Sequence, residues 1–114
     1  MEIDPWATEG VQNYKEICEK FGLETINPNE LPSPTHLHRR GIIFAHRDLD
    51  NVLEARNAGR PFGVLSGLMP SGQIHLGHKM VIDQARWYQE LGGDVTITVA
   101  DLEAHATRGL SLAA

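Results

Sequence analysis

The 114-residue sequence has one cysteine, Cys18, so an internal disulfide is excluded. Cys18 falls on an apolar helical pattern, and a buried, reduced thiol in a cytoplasmic protein is the expectation. No run of about 18 apolar residues occurs, which excludes a membrane-spanning helix. The opening, MEIDPWATEG, is acidic and has neither the basic start nor the apolar stretch of a secretory signal. Positive charge is in short supply as well. The formal net charge of −5 argues against a generic basic coat for nucleic acid, although a local basic patch is compatible with it. There is no internal repeat and no low-complexity tract. The phosphate-binding pattern G-x-x-x-x-G-K-[ST] and the dinucleotide pattern G-x-G-x-x-G are both missing. What remains is an ordinary globular composition, 41% hydrophobic and 22% charged, in a length that suits one small domain.

Val11, Tyr14, Ile17, Cys18 and Phe21 recur at helical spacing, and Gly22 is placed to cap that helix. INPNELPSPTHLHRR follows, with three prolines, and reads as an irregular connection. After GIIFAHRD, Asp48 is a candidate N-cap for a helix through LDNVLEARNAG, whose Leu49, Val52 and Leu53 share a face. From Pro61 the pattern changes. FGVLS reads as a buried strand, GLMPSGQI as a turn-rich connection, and His75 to Leu91 as a helix ended by Gly92 and Gly93. DVTITVA is a second strand, and Asp101 can cap a further helix through LEAHATRG. Strand, helix and strand in about 40 residues make a βαβ unit with parallel pairing. Both strands are apolar enough to suit a sheet covered on both faces. The expected fold class is therefore α/β: an incomplete Rossmann-like domain over 61–114, preceded by a helical segment over 1–60.

The stretch PSGQIHLGHK, from Pro70 to Lys79, carries the chemistry. It leaves the carboxyl end of one strand and enters a helix, the crevice where open α/β sheets bind ligands. A helix N-terminus offers free N–H groups and partial positive charge to an anion. Gly72 and Gly77 clear side chains from the path of a nucleotide. His75 and His78 can each donate an N–H to phosphate oxygens, and Lys79 adds charge. Such donors suit a nucleoside triphosphate reacting at its α-phosphate. A zinc site built on His75 and His78, with His105 or Asp101 as third ligand, matches no closed structural pattern, and no metal site is expected.

SGLMPSGQIHLGH resembles the first signature of class I aminoacyl-tRNA synthetases, the HIGH-type motif, in the form used by tyrosyl- and tryptophanyl-tRNA synthetases. KMVIDQARWYQELGGDVTITVADLEAHATRG resembles archaeal members of that pair. The upstream HLHRRGIIFAHRDLDNVLEARNAGRPF, together with DPW and the helix after it, is similar to archaeal tryptophanyl-tRNA synthetases. The resemblance covers nearly all of the chain. It implies ATP (with Mg2+) as cosubstrate, formation of an aminoacyl-adenylate, and transfer to tRNA(Trp). It places His75 and His78 as catalytic contacts to the triphosphate and Gly77 beneath the adenine. Ser66, Gly67, Pro70, Ser71 and Gly72 shape the loop above the α-phosphate, and Gln73, Ile74 and Leu76 complete the ATP-binding stretch. In eukaryotic-type tryptophanyl enzymes a tyrosine and a glutamine engage the indole, and here those positions hold Leu65 and Thr98. Glu103 matches an acidic position near the tryptophan pocket, where a carboxylate can accept the indole N–H.

The resemblance favours tryptophan as substrate. ADLEAHA is also similar to ADLHA of archaeal tyrosyl enzymes, so a tyrosyl-type fragment is the alternative. A non-catalytic nucleotide-binding remnant with an exposed sheet edge is another, and a small nucleotidyltransferase using the same loop without tRNA is a third, against which RRGIIFAHRD argues. The second class I signature, a KMSKS-like lysine loop, is absent, so the chain is expected to be the N-terminal part of a synthetase. Family membership further implies a homodimer and no membrane. Arg39, Arg40 and Arg47 read as solvated surface, with contact to a tRNA acceptor end as the alternative. Trp87 and Tyr88 read as core or rim packing.

Overall fold

A computed structural model describes residues 13–70, 72–109 and 111. The chain divides into two compact units, one ending at Leu49 and the other beginning at Asp50.

In the first unit, helix α1 spans Tyr14–Phe21. The Asn13 side chain accepts the Glu16 N–H at 3.2 Å, satisfying one of the donors a helix start leaves open. Gly22 closes the helix in the left-handed conformation, at φ 62°, as its sequence position predicts. Val11, the expected first residue of the periodic pattern, lies outside the described residues. Cys18 is buried with Ile17. The proline-rich connection holds more structure than the sequence suggests. It contains a 3-10 turn (Pro28–Glu30) and α2 (His36–Arg39), and β1 (Glu24–Thr25) lies just before it. β1 pairs antiparallel with β2 (Ala45–His46), Glu24 opposite His46. Such short elements carry no periodicity of their own, and backbone pairing across the unit creates them.

Helix α3 spans Leu49–Asn57. Its capping differs from expectation. Asp48 sits in the left-handed region at φ 59°, and the Leu49 N–H is accepted instead by His46 Nδ1 at 3.1 Å. An imidazole two residues upstream of the expected cap supplies the acceptor.

The second unit is the βαβ unit read from the sequence. Strand β3 (Gly63–Leu68) pairs parallel with β4 (Asp94–Val99), in a register that runs from Gly63 opposite Asp94 to Leu68 opposite Val99. Between them α4 spans Leu76–Glu90 and packs on both strands. Its Ala85 and Trp87 are buried. Gly93 shows why the return to β4 needs a residue without a side chain. A Cβ there would lie 2.6 Å from Phe62 Cε2, 3.0 Å from the Tyr88 carbonyl oxygen and 3.1 Å from Val64 Cγ2. Helix α5 (Asp101–Arg108) follows β4 directly. Asp101 is its first residue rather than its cap, yet its carboxylate still accepts the Leu102 N–H at 2.8 Å.

One expectation is corrected. The strands are not covered on both faces: Leu65 is 75% exposed and Val99 62%. Along β3 the half-buried Val64, Ser66 and Leu68 alternate with the exposed Gly63, Leu65 and Gly67, the period-two signature of a strand with one packed face. Apolar content records what a strand can bury, whereas burial itself needs a second layer.

Candidate functional site

The loop from Met69 to His75 joins the carboxyl end of β3 to the start of α4. His75 is the N-cap of α4, in extended conformation at φ −131°. Its Nδ1 accepts the Gly77 N–H at 3.0 Å. In return, the His75 N–H donates to His78 Nδ1 at 3.2 Å. The two histidines thus form a reciprocal capping box, the arrangement usually built from a hydroxyl and a carboxylate. Their rings lie 4.0 Å apart between centroids.

This geometry sets the tautomers. An Nδ1 that accepts a backbone N–H leaves the proton of a neutral imidazole on Nε2. Each ring therefore keeps one N–H donor not spent on the cap. Two such donors stand at the positive end of a 15-residue helix, where an anion is stabilised. His75 is exposed and His78 half-buried, so a ligand can reach the pair.

Gly77 acquires a reason beyond nucleotide access. A Cβ at this position would lie 2.8 Å from His75 Cε1 and 3.0 Å from His75 Nδ1, so the cap itself requires glycine. Lys79 is less available than the sequence suggests, because its ammonium is paired with the Asp83 carboxylate one turn along α4. Residues 63–79 contain no aspartate or glutamate. Hard divalent cations take oxygen ligands, carboxylates above all, so the loop does not fit a directly held magnesium ion.

Among the other candidate residues, Ser66, Gly67 and Thr98 come together. Gly67 lies opposite Thr98, and a Cβ on Gly67 would be 2.7 Å from Thr98 Oγ1. The Thr98 hydroxyl donates to the Ser66 carbonyl at 3.3 Å. Leu65 is on the same strand but opposite Thr96. Glu103 is exposed in the first turn of α5, where its charge suits the helix dipole. Gly72, Gln73, Ile74 and Leu76 are exposed along the loop and helix start, as is Pro70. Ser71 lies outside the described residues.

Sequence reading passes over Thr107. Its hydroxyl donates to the Glu103 carbonyl at 2.7 Å and lies 3.7 Å from Met69 Sδ, so α5 touches the beginning of the loop. Only the helical i−4 position of Glu103 hints at the first contact, and nothing in the sequence hints at the second. Of the three arginines read as solvated surface, Arg39 donates to the Pro34 carbonyl at 2.6 Å and Arg47 to the Phe21 carbonyl at 2.7 Å. These two guanidinium groups brace the backbone of the first unit.

Residues 56–111 match the family model described as tRNA synthetases class I (W and Y). The chain is 45% identical over 113 residues to the tryptophan–tRNA ligase of Methanosarcina acetivorans, covering 96% of this chain and 26% of that protein. It is 44% identical to the corresponding ligase of Archaeoglobus fulgidus, over 97% of this chain and 27% of that protein. Among solved structures, tryptophanyl-tRNA synthetase from Aeropyrum pernix K1 superposes with a TM-score of 0.76 at 40% identity, covering 96% of this chain and 31% of that one. The enzyme from Encephalitozoon cuniculi bound to tryptophan gives 0.75 at 28% identity, over 89% of this chain and 33% of that one. The chain thus spans roughly a quarter to a third of the length of these relatives. A histidine-capped helix behind a parallel strand, and alignment with these enzymes along almost its full length, lead to one conclusion: the chain belongs to the class I tRNA synthetases of the tryptophan and tyrosine group.

Proposed function

We propose that this chain is the ATP-binding portion of a tryptophan–tRNA ligase, which activates tryptophan with ATP and joins it to tRNA(Trp). The observation that carries the proposal is the reciprocal cap of His75 and His78. Attack of the tryptophan carboxylate on the α-phosphorus gathers negative charge on phosphoryl oxygens as pyrophosphate departs. Neutral imidazoles held as Nε2–H donors at a helix N-terminus are suited to that charge, because they are oriented before the reaction begins. Magnesium enters with the triphosphate, and the chain's own part is to bind and orient.

In this reading Ser66, Gly67, Pro70, Ser71 and Gly72 shape the loop above the α-phosphate, Gln73, Ile74 and Leu76 complete the ATP-binding stretch, and Gly77 lies beneath the adenine. Leu65, Thr98 and Glu103 border the amino-acid pocket. The names of the aligned relatives support tryptophan over tyrosine. Family membership also supports a homodimer and a cytoplasmic setting. No helix among the described residues is long and apolar enough to cross a membrane.

The test is pyrophosphate exchange by the intact protein that carries this chain, run with tryptophan beside tyrosine. Tryptophan-dependent exchange, lost in His78→Ala while tryptophan binding persists, is the expected result. Exchange with tyrosine alone overturns the substrate assignment. Equal loss of exchange and of tryptophan binding assigns His78 to folding instead.

A further inference from the structure

We propose that Lys79 is a phosphate ligand held in reserve. Its ammonium rests on the Asp83 carboxylate and exchanges that partner for the triphosphate when ATP binds at the start of α4. The inference rests on the ATP-binding reading of the loop and adds to it a cation and its resting counter-ion.

The placement comes from helix geometry. His75, Lys79 and Asp83 stand four residues apart, and the Lys79 N–H donates to the His75 carbonyl at 3.1 Å. Residues at that spacing share one face of a helix. A donor, a cation and a carboxylate therefore follow one another along α4, one turn apart. Helical side chains lean toward the N-terminus of their helix, and a lysine stem spans about one turn, roughly 5.4 Å, in either direction. Lys79 thus has two anion positions within reach: the site in front of His75 and His78 on one side, and Asp83 on the other. In the structure its ammonium is on Asp83.

The energetics describe a resting partner rather than a permanent one. A cation is disfavoured at the positive end of a helix dipole, and the first turn of α4 holds no acid to offset it. No aspartate or glutamate occurs from Ala55 to Ile82, so Asp83 is the first carboxylate after the loop. The pair also runs in the less favourable order, since an acid four residues before a base is the more stabilising arrangement. The Lys79 side chain is 61% exposed and that of Asp83 31%, and a solvated pair of this kind contributes little. A triphosphate presents more charge than one carboxylate, at the helix end where anions are favoured. Exchange therefore runs toward the ligand, and Asp83 only has to hold the ammonium one turn away until ATP arrives.

Arg86 and Glu90 provide an internal comparison. They form the same kind of pair on α4, cation first and four residues apart. Arg86 lies about 10 Å further along the helix than Lys79, beyond the roughly 8 Å over which exposed charges act in physiological salt. It has no anion site within reach, and Arg86→Ala is expected to leave ATP binding unchanged.

The experiment is a double-mutant cycle on the intact protein that carries this chain, reading dissociation constants for ATP and for adenosine by calorimetry. Lys79→Ala is expected to weaken ATP roughly tenfold, the low end for a charged contact, and to leave adenosine, which has no phosphate, unchanged. Lys79→Arg is expected to restore most of the affinity. Asp83→Asn is expected to tighten ATP roughly two- to fivefold, because no counter-ion has to be given up. In the Lys79→Ala background the same Asp83→Asn change is expected to do nothing, since Asp83 acts through Lys79. A gain from Asp83→Asn that persists without Lys79 is the mere removal of a negative charge and overturns the proposal. Unchanged ATP affinity in Lys79→Ala, equal losses for ATP and adenosine, or a comparable loss in Arg86→Ala also overturns it. A parent protein that shows tryptophan-dependent exchange while Lys79→Ala binds ATP normally refutes this inference alone. A parent that binds no ATP refutes the reading beneath it as well.

Discussion

Replacing Gly77 by alanine separates the stability of α4 from the geometry of its histidine cap. The new Cβ would sit 2.8 Å from His75 Cε1. His75 is exposed, so its ring can swing away at little strain. That movement breaks the 3.0 Å bond from the Gly77 N–H to His75 Nδ1. Loss of an N-cap acceptor costs roughly 0.5–2 kcal/mol. Alanine in place of glycine within a helix returns up to about 1 kcal/mol. The two effects largely offset, so urea unfolding should place Gly77→Ala within about 1 kcal/mol of the parent. Ligand binding has no such compensation. Removing one oriented donor from a charged phosphate forfeits about 1.5–3 kcal/mol, which weakens ATP binding roughly 10- to 100-fold. Titration of ATP followed by NMR, with the imidazole nitrogen shifts of His75 and His78 recorded in the same samples, measures both quantities. Unchanged affinity together with an unchanged Nδ1 acceptor signature would refute the reasoning, as would a variant that unfolds.

Other outcomes follow from the same geometry. Gly93→Ala forces a Cβ against Phe62, Val64 and the Tyr88 carbonyl, an overpacking that costs roughly 1–3 kcal/mol; an unchanged urea midpoint would contradict the packing described. Tyr88 ionises above its ordinary 10.0 because burial outweighs the hydrogen bond with Gln84. The folded state thus holds that proton longer than the unfolded one, and stability should decline as the pH rises above about 10, a decline that Tyr88→Phe removes in alkaline unfolding curves. Arg86→Ala, which removes the exposed pair with Glu90 one turn along α4, should shift stability by less than about 0.5 kcal/mol, and a larger shift in the melting curve would reveal a contact beyond the pair.

Legibility varied with the range of the interactions involved. Helix α4 was readable almost to the residue, because a long apolar period lies between a polar start and two glycines. The parallel pairing of β3 and β4 was readable because a helix of that length leaves no short hairpin route between them. Glu24–Thr25 and Ala45–His46 were not readable, since two-residue strands exist only through each other. Capping by His46 was hidden for a related reason: histidine is a weak signal at helix starts, and the sequence offered Asp48 at the expected position. The donors of the candidate site were readable as residue types. Their tautomers, the pairing of Lys79 with Asp83 and the contact of Met69 with Thr107 depend on side-chain placement.

By itself, the sequence determined the order of strand, helix and strand, the placement of His75, Gly77 and His78 at a helix start, and the resemblance that runs through nearly the whole chain. These are local matters of period, cap chemistry and spacing. Tertiary structure alone decided that the two histidines cap one another, that the His75 ring leaves no room for a Cβ at Gly77, that one face of the strand pair stays exposed, and that His38 is buried with its acceptor already engaged. Each of these is settled by atoms distant in sequence or by side-chain rotation, and neither is written in the pattern of residues along the chain.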